Sequence, residues 1–174
     1  IGCVTKGRKG YELSEMEELA IAGVVAFSDD GDPVWDSNIM RLALAYSKDL
    51  DLPISNHCQD HTLSKGGVMC EGPVSTRLGL PGIPAAAEEA MVARDIALAE
   101  LTGGKLHVAH LSTAGSVALV REAKNRGLSI TAEVCPHHLL LTDERVLTSS
   151  DDMNGISPND SYDTSTKVYP PLRT

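Results

Sequence analysis

Three residues able to hold a metal ion each stand just past a short apolar run. Asp30 follows Gly23-Val24-Val25-Ala26-Phe27, His57 follows Leu52-Pro53-Ile54-Ser55-Asn56, and His110 follows Lys105-Leu106-His107-Val108-Ala109. Imidazole and carboxylate donors together suit zinc or a similar first-row ion. One histidine after a strand is more often a satisfied polar residue than a ligand. Three donors after three consecutive runs raise a shared ligand set to equal standing with that ordinary reading.

The remaining histidines and nearby acids read differently. His107 lies three residues before His110, an odd offset that sends two strand side chains to opposite faces, so His107 is read as structural. His61 falls in a polar stretch and is read as solvated. His137 and His138 follow Pro136 after a fourth run and are suited to bracing the mouth of the site, with neither assigned a catalytic role. Asp29 is read as positioning its turn and Asp60 as buttressing His57. Cys3, Cys58, Cys70 and Cys135 are far apart with no C-x-x-C pair, which indicates neither a disulfide framework nor a cysteine zinc site.

Elements that could position these donors are visible as alternating patterns. Strands are expected over 23–27, 52–56, 105–109 and 128–134. Helices are expected over 36–48, capped by Asp36 or Ser37 with Met40, Ala43 and Leu44 inward, and over 84–101 from Pro84, with Ala90, Ala93, Ala97 and Leu101 inward. A third should run from a Ser112-Thr113 cap through Lys124 to a stop at Gly127, and a weaker one should cover 14–22. The stretch 59–82 is Gly-rich and without period, and 148–166 is polar with turn residues; both are expected as loops.

Repeated βα units imply a parallel sheet, either doubly wound or part of a (β/α)₈ barrel. No G-x-G-x-x-G or G-x-x-x-x-G-K-[ST] loop follows any strand, which counts against a nucleotide-binding doubly wound fold. A whole barrel takes about 250 residues, so these 174 residues would form a single partial barrel domain. Ile1 in place of an initiating Met, and an end at Thr174 directly after Pro170-Pro171-Leu172-Arg173, read as an internal fragment. A formal charge of −9, from 24 acidic and 15 basic residues, makes nucleic acid and anionic membranes poor partners. No apolar run approaches the roughly 20 residues of a membrane span, and the expected compartment is the cytosol.

Five strings carry a resemblance. Ala26-Phe27-Ser28-Asp29-Asp30-Gly31, Asn56-His57-Cys58-Gln59-Asp60, His107-Val108-Ala109-His110-Leu111-Ser112-Thr113, Thr131-Ala132-Glu133-Val134-Cys135-Pro136-His137-His138 and Lys167-Val168-Tyr169-Pro170-Pro171-Leu172-Arg173 resemble the ordered motifs of bacterial dihydroorotases of the longer, class I type. That family belongs to the amidohydrolase superfamily. The resemblance implies an α/β fold, part of a (β/α)₈ TIM-type barrel of the metal-dependent amidohydrolase kind. It further implies that Asp30, His57 and His110 are metal ligands, holding one or two zinc ions.

Relatives such as dihydropyrimidinase and allantoinase place a carboxylated lysine where Asp30 stands, so the aspartate favours dihydroorotase among them. The first strands, with their H-x-H pair, are expected before Ile1, and the last strand, with its acid/base Asp, beyond Thr174. That leaves no catalytic residue in this chain and the isolated piece inactive. Tyr169 stands where the family usually has a substrate-contacting Asn, and is carried over as a substrate-binding position. The implied reaction is reversible hydrolysis of L-dihydroorotate to N-carbamoyl-L-aspartate in pyrimidine synthesis. A homo-oligomer is expected, with aspartate transcarbamoylase as a candidate partner. Two alternatives stand beside this reading: another cyclic amidase of hydantoinase or allantoinase type, and a non-catalytic dihydroorotase-like subunit of aspartate transcarbamoylase.

Overall fold

The computed structural model describes residues 1–147 and 162–174. In chain order these form α1 (Met16–Ile21), β1 (Phe27–Ser28), α2 (Ser37–Asp49), β2 (Ile54–Asn56), α3 (His61–Ser64), β3 (Met69–Cys70), α4 (Pro73–Leu78), β4 (Gly82–Ile83), α5 (Ala86–Thr102), β5 (Leu106–Val108), α6 (Ala114–Asn125), β6 (Ile130–Ala132) and α7 (Pro136–Leu140). Of the polar stretch expected as a loop, residues 148–161 lie outside the described residues, and Thr164–Thr166 makes a short 3₁₀ turn.

The central sheet is parallel throughout, in the order β1-β2-β5-β6. Its register lines up Phe27, Ile54, Leu106 and Ile130 as one row, and all four are buried against the helices. One residue further along, Ser28, Ser55, His107 and Thr131 form a polar row on the opposite face, which is the inner face of a barrel. Met40 and Leu44 of α2, Val92 and Ile96 of α5, and Val120 of α6 complete the core. Burial of a side chain such as Ile54 stabilises the fold by about 1.5–3 kcal/mol, and the row supplies four of them.

Capping places the helices as their sequences require. The Asp36 carboxylate accepts from the N–H groups of Asn38 and Ile39 at 2.8 and 2.9 Å, and the Thr113 hydroxyl accepts from Ser116 N–H. Gly103, at φ 71°, ends α5 in the left-handed conformation that glycine alone adopts freely.

Three expectations need correction, and one contact was not expected. The strands are shorter than their apolar runs: Val24 and Val25 precede β1 rather than belonging to it. Gly2 pairs with β1 as a parallel bridge, donating its N–H to the Ala26 carbonyl and accepting at its own carbonyl from Ser28 N–H, a contact with no signal in the local sequence. Residues 59–82 are not a bare loop but hold α3, α4 and the two-stranded parallel sheet of β3 and β4; elements of two to six residues are too short to show a period. The face of α5 is reversed. Ala90, Ala93, Ala97 and Leu101 are exposed, while Ala87, Glu88, Met91, Val92, Asp95, Ile96 and Ala99 are buried. Charged residues are spread around this helix, so periodicity alone does not mark its inward side; the bulkier Met91, Val92 and Ile96 turn inward together with the hydrogen-bonded acids Glu88 and Asp95.

Candidate metal centre

Asp30, His57 and His110 converge at the mouth of the sheet. His57 directly follows β2, and register alone brings it level with Asp30 beyond β1. His110 lies one residue too far along for the same alternation to turn it inward. Its backbone solves this with φ 35°, a left-handed conformation that costs a side-chain-bearing residue about 1–2 kcal/mol. The chain bends there, and the ring meets His57 edge-on at a centroid separation of 4.7 Å.

His57 Nδ1 lies 2.9 Å from His110 Nε2, His110 Nε2 lies 3.3 Å from Asp30 Oδ1, and His57 Nδ1 lies 3.7 Å from Asp30 Oδ1. Two donors about 2.05 Å from one tetrahedral ion stand about 3.3 Å apart, so the three separations bracket the value an ion would impose. The donor set of two imidazoles and one carboxylate therefore fits a zinc-class ion in both chemistry and spacing.

Protonation favours the same role. Burial, then the neighbouring His110 charge, hold His57 below its usual pKa, so it stays neutral, the form that offers a lone pair. For Asp30, burial pushes upward, but hydrogen bonds from His110 and the Gly31 N–H and the nearby imidazoles outweigh it, and the carboxyl sits below its usual range. Asp30 is 59% exposed while the histidine side chains are 8% and 14% exposed, so the carboxylate is the cluster's open side. On the far side of its ring, His110 Nδ1 is buried with no partner among the described residues, so the cluster itself, not a bond behind the ring, orients it.

Two buried acids of α5 stand behind the histidines. Asp95, with no exposed surface, accepts from Asn56 Nδ2 at 2.6 Å, from the Cys58 thiol at 3.4 Å and from Arg94 Nε at 2.8 Å. Asn56 and Cys58 flank His57, so this hub fixes the strand end that carries it. Burial pushes the Asp95 carboxyl up, against the opposing pull of Arg94 and Asn56, and pushes the Cys58 thiol well up, which keeps it protonated. Arg94 also donates to the carbonyls of Val34 and Trp35, each at 2.7 Å. Glu88 accepts from the backbone N–H groups of Ser112 and Thr113 at 3.0 and 3.1 Å and from both hydroxyls, pinning the turn that follows strained His110.

The other sequence-predicted residues fall as follows. Asp29 is buried and accepts from the backbone N–H groups of Val4 and Thr5 at 2.9 and 3.2 Å, so its carboxylate ties the end of β1 to the first residues of the chain. Asp60 does not buttress His57; it caps α3 through Thr62 and Leu63, and Gln59 is the neighbour hydrogen-bonded to His57. His107 contacts Thr131 at 2.8 Å on the polar row, apart from the three donors. His61 is exposed. Tyr169 lines the same cleft of about 650 Å³ as Asp30, His57 and His110, with its hydroxyl donating to the Gly67 carbonyl at 3.1 Å and Lys167 Nζ 5.5 Å from its ring centre. Thr174 is exposed and is not among the residues lining that cleft, and the acid/base Asp expected beyond Thr174 lies outside the described residues. Sequence reasoning missed Glu88, Asp95 and Lys167. The spacing of the two acids with Val92 and Ala99 along one helix stripe was the available signal.

Residues 2–116 match the family model described as Dihydro-orotase-like. The chain belongs to the dihydroorotase-like family. It is 59% identical over all 174 residues to a protein named dihydroorotase from Pelotomaculum thermopropionicum, and 55% identical to one of the same name from Caldanaerobacter subterraneus. This dihydroorotase-like chain spans 38% and 37% of those relatives' lengths. Among solved structures, a D-hydantoinase is similar with a TM-score of 0.67 and 21% identity over 98% of this chain and 36% of that one. The D-hydantoinase of Bacillus sp. AR9 gives 0.68 and 22% over 92% of this chain and 34% of that one. At such identities the likeness is one of fold, and the dihydroorotase-like chain is α/β, a part of a (β/α)₈ barrel.

Proposed function

We propose that the polypeptide carrying residues 1–174 is a zinc-dependent dihydroorotase that reversibly hydrolyses L-dihydroorotate to N-carbamoyl-L-aspartate. The observation that carries this reading is the convergence of Asp30, His57 and His110 donor atoms within 3.7 Å, in a chain 59% identical to a protein named dihydroorotase. Residues 1–174 act here as a partial barrel domain, without the first strands and the last. The reading also includes a cytoplasmic role in pyrimidine synthesis, a homo-oligomeric state, and aspartate transcarbamoylase as a candidate partner.

Asp30, His57 and His110 would hold one or two zinc ions, which supply Lewis acidity toward an amide carbonyl and toward water. The ionised Asp30 contributes the negative charge of the set, and neutral His57 is oriented by Gln59. Tyr169 shapes the cleft wall, and Lys167 places a cation in the same cleft, suited to the carboxylate that dihydroorotate bears. The acid/base group that moves the proton to and from the ring nitrogen is assigned to a segment beyond Thr174.

The test is loss of dihydroorotate ring absorbance with the full polypeptide loaded with zinc. Wild-type enzyme should turn over and the Asp30→Ala variant should fall to background. A folded wild-type protein that retains zinc and leaves dihydroorotate intact would overturn the proposal, and would favour another cyclic amide or a scaffolding role.

A further inference from the structure

The turn after β6 carries a second group of donors unused by the site above. Cys135 is the N-cap of α7, and Pro136, His137 and His138 form its first turn. One donor atom from each of Cys135, His137 and His138 lies within 4.8 Å of the others. His138 Nε2 is 2.9 Å from the carbonyl oxygen of Pro170. A carbonyl only accepts, so Nε2 carries the proton and Nδ1 keeps a lone pair. That Nδ1 is buried and has no hydrogen-bond partner among the described residues. A histidine whose one nitrogen donates to a backbone carbonyl while the other presents a bare lone pair is the arrangement found in metal-ligating imidazoles.

We propose that Cys135, His137 and His138 form a second metal site, for a borderline-soft divalent ion of the zinc class. Cys135 binds as the thiolate, releasing its proton to solvent, and the two imidazoles bind neutral. Three protein donors leave a fourth position for water or a further ligand. Donors on one tetrahedral ion stand about 3.5 Å apart, and the three donor atoms here already lie within 4.8 Å of one another on half-buried residues. Cysteine spacing concealed the site, because a C-x-H-H turn holds no pair of cysteines. With Pro170 tied to His138, an ion here joins the end of β6 to residues 169–173, which also contribute Tyr169 to the cleft.

Sulfur makes this site distinguishable from the first, which has only nitrogen and oxygen donors. The ion-free full polypeptide is titrated with cobalt(II), and the near-ultraviolet sulfur-to-cobalt charge-transfer band is followed. Wild type and Asp30→Ala should both develop the band; Cys135→Ser should lose it together with one equivalent of bound cobalt. His137→Ala should keep the band and bind cobalt at that site at least about 10-fold more weakly. No band in wild type, a band that survives Cys135→Ser, or an unchanged affinity in His137→Ala would each overturn the assignment.

Discussion

His57 and His110 reach the same point by opposite means. His57 is carried there by the strand itself: register sets its level, and the hub of Asn56, Cys58, Arg94 and Asp95 fixes the strand end without a strained backbone angle at the histidine. His110 arrives against the alternation of its strand, through a left-handed φ of 35°, with the turn beyond it fastened to Glu88. Both supports come from α5, two turns apart, one for each histidine. The comparison teaches that the helix behind the sheet, as much as the sheet, sets the donor geometry.

The largest effect that would test this comparison is expected from Asp95→Ala. It leaves the part-buried Arg94 and the buried Asn56 beside a lost carboxylate, and should lower stability by roughly 3–5 kcal/mol in urea denaturation. Its structural disturbance should centre on His57. Glu88→Gln should cost less, roughly 1.5–3 kcal/mol, because an amide replaces a charged acceptor that serves Ser112 and Thr113 together. Its disturbance should centre on His110. Imidazole signals in NMR spectra separate the two cases, and variants that move both rings equally would break the picture of two independent supports.

The smallest effect is in pH dependence. His57 is held below its ordinary value of 6.5 by burial, so the unfolded chain takes up the proton first on acidification. Its contribution to stability is full above pH 6.5 and is lost as pH falls through the folded value. The thermal midpoint of the ion-free protein should therefore drop on acidification through that range, with a shallower slope in His57→Gln. An equal slope in the variant would mean that other groups govern the acid limb.

What the sequence disclosed follows the same division. Asp36, Thr113 and Gly127 announce helix ends through local chemistry, and these were legible. The three donors were legible because each follows an apolar run. Glu88 and Asp95 were not, because a buried acid is intelligible only once its donors are known, and those lie on β2, on the residues after β5, and beside Asp95 itself. The left-handed turn at His110 was equally hidden: a histidine gives no glycine-like warning of positive φ. Asp60 was misread for the converse reason, since its nearest partners were the two amides that follow it in sequence.

The contacts of Arg94 with Val34 and Trp35, joined through Asp95 to Asn56, bear on how such a barrel can be recombined. A (β/α)₈ barrel invites exchange of single βα units between homologues, yet here the segment before α2, the end of β2 and the middle of α5 share one ionic fastener. A chimaera with a crossover anywhere between residues 57 and 93 would inherit the two sides of that fastener from different parents. The smallest block that can be swapped without disturbing it runs from Val34 to Asp95.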